Sequence, residues 1–194
     1  MSATVPQSAA PPRAPADPSD AAVIVASRDD PERFSEIFDR YFGEIHRYVA
    51  SRLGSAPADD VAAETFLTAF TLRHRYDADR PQARAWLYGI ATNLVRRHRR
   101  SEKRARRLFG RAAAVDDHAD RVAEMVSAQR MQPRLEKALA GLGTGDRDVL
   151  LLVAYGDLSY EEVAQALGIR AGTVGSRLTR ARRKLRRALE ADPE

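Results

Sequence analysis

The 194-residue chain predicts an all-α fold: two small helical domains joined by a flexible linker, the C-terminal one a helix-turn-helix. Three observations predict it. Apolar residues recur at spacings of three and four in one segment after another, the period of a helix with one buried face. No stretch alternates apolar and polar residues long enough for a strand. Between Phe109 and Asp120 the periodicity fades and small and acidic residues dominate, as in an interdomain linker.

Met1 to Ser27 is rich in Ala and Pro with few large apolar side chains, too few to offset the entropy of ordering, and reads as a disordered tail. Asp30-Pro31-Glu32 has the order of a helix start: N-cap, Pro in the first turn, an acid beside it. Phe34, Ile37, Phe38, Tyr41, Ile45, Tyr48 and Val49 continue it as a long amphipathic helix, which Gly54 to Pro57 ends. Ala58 to Arg73 is a second helix with Val61, Ala62, Phe66, Ala69 and Phe70 inward. A polar loop, Tyr76 to Pro81, leads to a third helix from near Pro81 through Trp86, Leu87, Ile90, Leu94 and Val95. Trp86 is in register with Ala83, Ile90 and Leu94, which favours core packing over base stacking.

After the linker come a helix near Met131 to Leu139, a break at Gly141 to Gly145, and a short helix from Asp146 to Ala154. Ser159-Tyr160-Glu161-Glu162 is a capping box opening a helix that Gly168 closes. A last helix, about Thr173 to Ala188, turns Val174, Leu178, Ala181 and Leu185 inward. Thr173, Ser176, Arg180, Arg183 and Arg187 point the other way. The boundaries follow: tail 1–27, first domain 28–108, linker 109–128, second domain 129–194.

Composition excludes several functions. Without cysteine there is no disulfide framework, thiol catalysis or cysteine-bound metal. No run is apolar enough for a membrane helix, and the first residues do not resemble a secretory signal. The four histidines, His46, His74, His98 and His118, are dispersed and give no metal site. Gly141-Leu142-Gly143-Thr144-Gly145 lacks the lysine and the strand–helix context of a phosphate loop and reads as a helix-ending turn. No nucleophile–base pair is present, so neither catalytic residues nor a cofactor are expected.

The formal charge of +5 is segregated. Asp29 to Glu64 holds nine acids against four arginines. Arg96 to Arg107 is basic at eight of twelve positions, and Val163 to Leu189 has eight basic residues and no acid. Solvated helices mix signs, so an anionic partner is expected at both basic runs. A basic second helix after a short turn suits the major groove of DNA. There Arg180 can pair with guanine, Ser176 or Thr179 can reach base edges or phosphate, and Arg177, Arg183 and Arg187 suit phosphates. In the third helix Asn93 with Arg96, Arg97, Arg99 and Arg100 suits nucleic acid, and Tyr76, Asp79, Arg80 and Arg84 before it can cup an unstacked base, Tyr76 being alternatively a partly buried anchor for the loop. Asp59, Asp60 and Glu64 share one face of the second helix; they fit a basic protein partner or are dipole-favoured charges at a helix start.

Four segments in this order resemble the bacterial sigma-70 family: Asp59-Asp60-Val61-Ala62-Ala63-Glu64-Thr65-Phe66, Trp86 to Asn93, Leu158 to Ala164, and Gly172-Thr173-Val174 with Ser176-Arg177-Leu178. The likeness spans Pro31 to Ala188, and its two-domain layout is similar to the extracytoplasmic-function (ECF) group, which keeps regions 2 and 4. The resemblance implies a cytoplasmic, non-enzymatic promoter-specificity subunit of RNA polymerase. It implies that Asp59, Asp60 and Glu64 dock on the β′ clamp helices, and that region 4 meets the β flap. It implies that Tyr76, Asp79, Arg80, Arg84, Asn93, Arg96, Arg97 and Arg100 serve the −10 element, Asn93 helping to hold a flipped base. It implies that Thr173, Ser176, Arg177, Thr179, Arg180 and Arg183 serve the −35 element, and that an anti-sigma factor controls the protein. Gly89 and Gly175 stand where many members carry a basic residue. The alternative is a stand-alone transcriptional regulator with the same C-terminal reader, which leaves the first basic run and the Asp59-to-Asn93 constellation unexplained.

Overall fold

Ser19 accepts a hydrogen bond from the Ala22 amide (3.2 Å) and so caps helix α1, Asp20–Ala26. Val23 and Ile24 of α1 are fully buried. The tail expected to extend through Ser27 is therefore too long. Averaged composition hid a short apolar run, Ala21 to Ala26, that gains order from tertiary packing. The computed structural model describes residues 18–80, 83–108 and 132–190. The rest of the tail and the expected linker, 109–128, lie outside the described residues.

A 3₁₀ turn, Pro31–Phe34, precedes α2, Ser35–Leu53. The Asp30 side chain makes no capping bond, so the expected N-cap acts only by preceding Pro31. Helix α3 is Ala58–Leu72, and another 3₁₀ turn, Arg73–Arg75, follows. Helix α4, Arg84–Leu108, starts later than Pro81. The cap comes from far away in sequence: the Ala83 amide donates to Asp20 Oδ2 (2.8 Å), and the same carboxylate accepts from Arg40 (2.9 Å) and the Tyr41 hydroxyl. Helices α2, α3 and α4 pack into a bundle around Ile37, Ile45, Val49, Ala69 and Leu87, all fully buried.

Helices α5, Gln132–Ala140, α6, Thr144–Gly156, α7, Tyr160–Leu167, and α8, Ala171–Glu190, form the second group. The capping box is present: Ser159 Oγ accepts from the Glu162 amide (3.2 Å), and the Ser159 amide donates to Glu162 (2.8 Å). Gly168 takes φ +63°, a left-handed closure that suits glycine. Val174, Leu178 and Ala181 are buried as the spacing requires, whereas Leu185 is half-exposed. Among the described residues every regular element is helical.

The two groups pack directly on one another, α4 against α7 and α6, and α2 against α6. Gly89 explains one departure from the basic pattern: a Cβ there would lie 2.7 Å from the Ala166 carbonyl oxygen of α7. Only glycine permits that approach. At Gly156 a Cβ would crowd the Tyr88 ring at 3.1 Å, a tight contact to which that ring would have to yield by a few tenths of an ångström. Gly175 has no such reason, since the nearest atom, of Tyr160, is 3.9 Å away.

Candidate nucleic-acid and protein interface

The acidic face forms at the start of α3. Asp59 is exposed and meets His46 Nε2 at 2.7 Å, and Asp60 is exposed with no ion-pair partner among the described residues. Glu64, one turn on, is half-buried and ion-paired with Arg97 of α4. Leu67 continues the same face and is 67% exposed. Beside it, Phe38 stacks on Phe42 (4.7 Å) and meets Phe66 edge-on (5.0 Å); Phe66 is buried, but Phe38 is not. Sequence reasoning missed Leu67 and assigned Phe38 to the core; a leucine in helical register with Asp60 and Glu64, at i+7 and i+3, was the available signal. This face combines negative charge with apolar surface, a combination that suits a basic, amphipathic protein element.

The loop before α4 is built rather than loose. The Arg28 guanidinium donates to the carbonyls of Tyr76 (3.0 Å) and Arg73 (3.3 Å). Tyr76 is buried, its ring edge-on to Trp86 (4.9 Å) and its hydroxyl donating to the Arg80 carbonyl (2.6 Å). Burial pushes the Tyr76 phenol up to about 12, so it stays a neutral donor. Asp77 accepts from the Asp79 amide (3.2 Å) and pairs with Arg80 (3.0 Å), leaving Asp79 and Arg80 exposed at the tip. Arg84 is held by Glu44 (2.6 Å), which also accepts from the Tyr88 hydroxyl (2.8 Å). Of the expected loop residues, Asp79 and Arg80 are exposed, Arg80 in a surface pair with Asp77, whereas Tyr76 and Arg84 shape the loop from beneath.

Along α4 the basic residues divide. Asn93, Arg97 and Arg100 lie at i, i+4 and i+7 on one exposed face. Arg96 turns toward the second group and pairs with Asp148 of α6 (2.7 Å). Arg52 of α2, only 1% exposed, pairs with the same fully buried carboxylate. The structure therefore brings Asn93, Arg97 and Arg100 together and sets Arg96 apart. Neither Arg52 nor Asp148 was legible as a partner, because their elements are distant in sequence.

On α8, Ser176, Thr179, Arg180 and Arg183 are exposed, while Thr173 and Arg177 are half-buried. The Ser176 hydroxyl donates to the Thr173 carbonyl (3.1 Å). Arg180 donates to Asp146 of α6 (3.1 Å). The Arg177 guanidinium lies over Gly145, 2.8 Å from where a Cβ would be. The exposed residues form one polar, cationic strip of the width a major groove accepts. Among the described residues no group of acids and histidines could hold a metal, and no helix is long and apolar enough to cross a membrane.

Comparison with known proteins accords with this geometry. A family model for sigma-70 region 2 matches residues 37–105, and one for sigma-70 region 4 matches residues 133–185. The RNA polymerase sigma factor CnrH of Cupriavidus metallidurans is 35% identical over 144 residues, covering 70% of this chain and 75% of its own. The ECF RNA polymerase sigma factor SigC of Mycobacterium tuberculosis is 35% identical over 156 residues, covering 78% and 79%. The structure of CnrH in complex with the cytosolic domain of CnrY superposes with a TM-score of 0.65 at 27% identity, covering 89% of this chain and 98% of that one.

Proposed function

The chain belongs to the sigma-70 family of RNA polymerase sigma factors, in its ECF group, and on that premise we propose which of its surfaces carry each part of the work. It is a transcription-initiation factor, not an enzyme: it binds core RNA polymerase, recognises promoter elements and helps open the DNA. We assign residues 28–108, with helix α1 packed against them, to the region 2 body, 109–128 to the linker and 129–194 to region 4. The α3 face, with Asp59, Asp60 and Glu64 and the exposed Leu67, docks on the β′ clamp helices, and region 4 meets the β flap. The loop tip, Asp79 and Arg80, with Asn93, Arg97 and Arg100 of α4, engages the −10 element; Tyr76 and Arg84 hold that loop in shape. Arg96, tied to the buried Asp148 carboxylate, drops out of the DNA contacts and joins the two helical groups instead. Ser176, Arg177, Thr179, Arg180 and Arg183, with Thr173 at the start of the strip, engage the −35 element.

The observation that carries this reading is the coexistence, in one chain, of an exposed acidic–apolar face and two separate exposed cationic strips. A stand-alone regulator needs only one strip. Strand opening would draw on binding energy, since extruding a base costs a few kcal/mol that loop and helix contacts must offset. The CnrH structure holds a second protein, the cytosolic domain of CnrY, and we place this chain likewise in the cytoplasm under an anti-sigma partner. Run-off transcription with purified core polymerase tests the reading. Promoter-dependent starts with nothing else added support it; transcription indistinguishable from core alone overturns it.

A further inference from the structure

Where the two helical groups meet there is a cavity of about 530 Å³. Its wall carries Arg52 of α2, Arg96, Arg99, Arg100 and Lys103 of α4 and Arg147 of α6, against one carboxylate, Glu102. Asp148 neutralises part of this from behind the wall, by pairing with Arg52 and Arg96. Six cations still face two carboxylates. The Nε and Nη1 of Arg52 and the Nε of Arg147 are buried without a hydrogen-bond acceptor among the described residues. A charged donor taken out of water and left unpaired is costly, more so beside like charges. The same strain shows in protonation. Burial, then the charges of Arg52 and Arg147, push the Arg99 guanidinium down to about 10, and burial with Arg52 lowers Arg147 as well.

The cavity therefore gathers more cationic donors than its own carboxylates can match. Guanidiniums on opposing walls call for an oxyanion with several charges, and the planar fork of arginine matches phosphate oxygens. The volume is that of a small-molecule site, and the walls come from both helical groups. We propose that this cavity binds a small oligophosphate anion, which bridges α2 and α4 to α6 and holds the two halves of the molecule together. Because Arg100 lines it and also stands on the exposed face of α4, a bound anion would compete with promoter DNA; that consequence, though not the binding itself, rests on the assignment of Arg100 above.

Titration calorimetry on the full chain tests it, using sodium tripolyphosphate, pyrophosphate and phosphate at constant ionic strength. The expected result is saturable binding of about one anion per chain, tightening with anion charge, and weakened about tenfold or more by R99Q/R147Q. R182Q/R186Q, which removes two exposed charges from α8, should change it less than about twofold. K103Q, at the cavity rim, provides a milder variant should R99Q/R147Q fail to fold, and is expected to weaken tripolyphosphate binding measurably. The proposal is overturned by non-saturable binding, by equal losses in the α8 variant, or by K103Q binding as the parent does while R99Q/R147Q is folded and unimpaired or does not fold.

Discussion

Helices α4 and α8 are both arginine-rich, yet the fold treats them differently. On α8 the charges stand mostly in water, with Arg180 alone in a marked ion pair, to Asp146. On α4 the charges are divided among three environments: Arg97 on Glu64, Arg96 on buried Asp148, and Arg99 donating to the Arg52 carbonyl inside the interface. An arginine facing solvent is available to phosphate; one facing a buried acid is part of the architecture. Density of charge in a sequence therefore says that an anion is wanted, but not which anion receives which residue.

This contrast can be broken experimentally, beginning where the effect is largest. Replacing Asp148 by Ala strands Arg52 and Arg96 without a counter-charge, and loss of one partner of a buried pair costs about 3–5 kcal/mol. Urea unfolding should show it; a loss below about 1 kcal/mol would mean that the α4–α6 contact is as dispensable as a surface pair. Arg180→Ala removes a half-exposed charge but leaves the buried Asp146 carboxylate without its ion pair, so stability should fall by less than for Asp148→Ala while −35 discrimination falls by about 1–3 kcal/mol, read by competition between promoter variants. Unchanged preference would assign Arg180 to Asp146 alone. Reversing Asp60 and Glu64 to Lys should weaken core-polymerase binding by about tenfold or more, ~1.4 kcal/mol, with the helical fold retained by circular dichroism. Binding at full strength would reduce those acids to favourable charges at a helix start. The smallest effect belongs to Gly175→Ala. The site is roomy, so relieving a mid-helix glycine should add about 0.5–1 kcal/mol of stability without altering promoter choice.

Much of the helical layout was legible because local chemistry is enough to set it. The capping box at Ser159, the glycine closure at Gly168 and the apolar spacing of Val174, Leu178 and Ala181 all reappear in the structure. Helix α1 was not legible, since seven residues cannot be stable by propensity and depend on burial of Val23 and Ile24. The start of α4 was misplaced for a related reason: its cap is Asp20, far back in the chain. The same holds within the site. Asn93, Arg97 and Arg100 could be grouped by helical spacing, and Tyr76 could be read either as a base-cupping group or as a buried anchor of the loop; packing on Trp86 decides for the anchor, and the hold of Glu44 on Arg84 was not legible at all.

Periodicity, capping residues and charge segregation depend on neighbours a few positions apart, and from them the sequence by itself determined an all-helical chain with an acidic face and two cationic helices. The pairing of Arg52 and Arg96 with Asp148, the glycine-only approach of α4 to α7 at Gly89 and the charged cavity between the halves were decided by tertiary structure alone. Each depends on groups distant in sequence, which meet only when the buried faces of separate helices exclude water together.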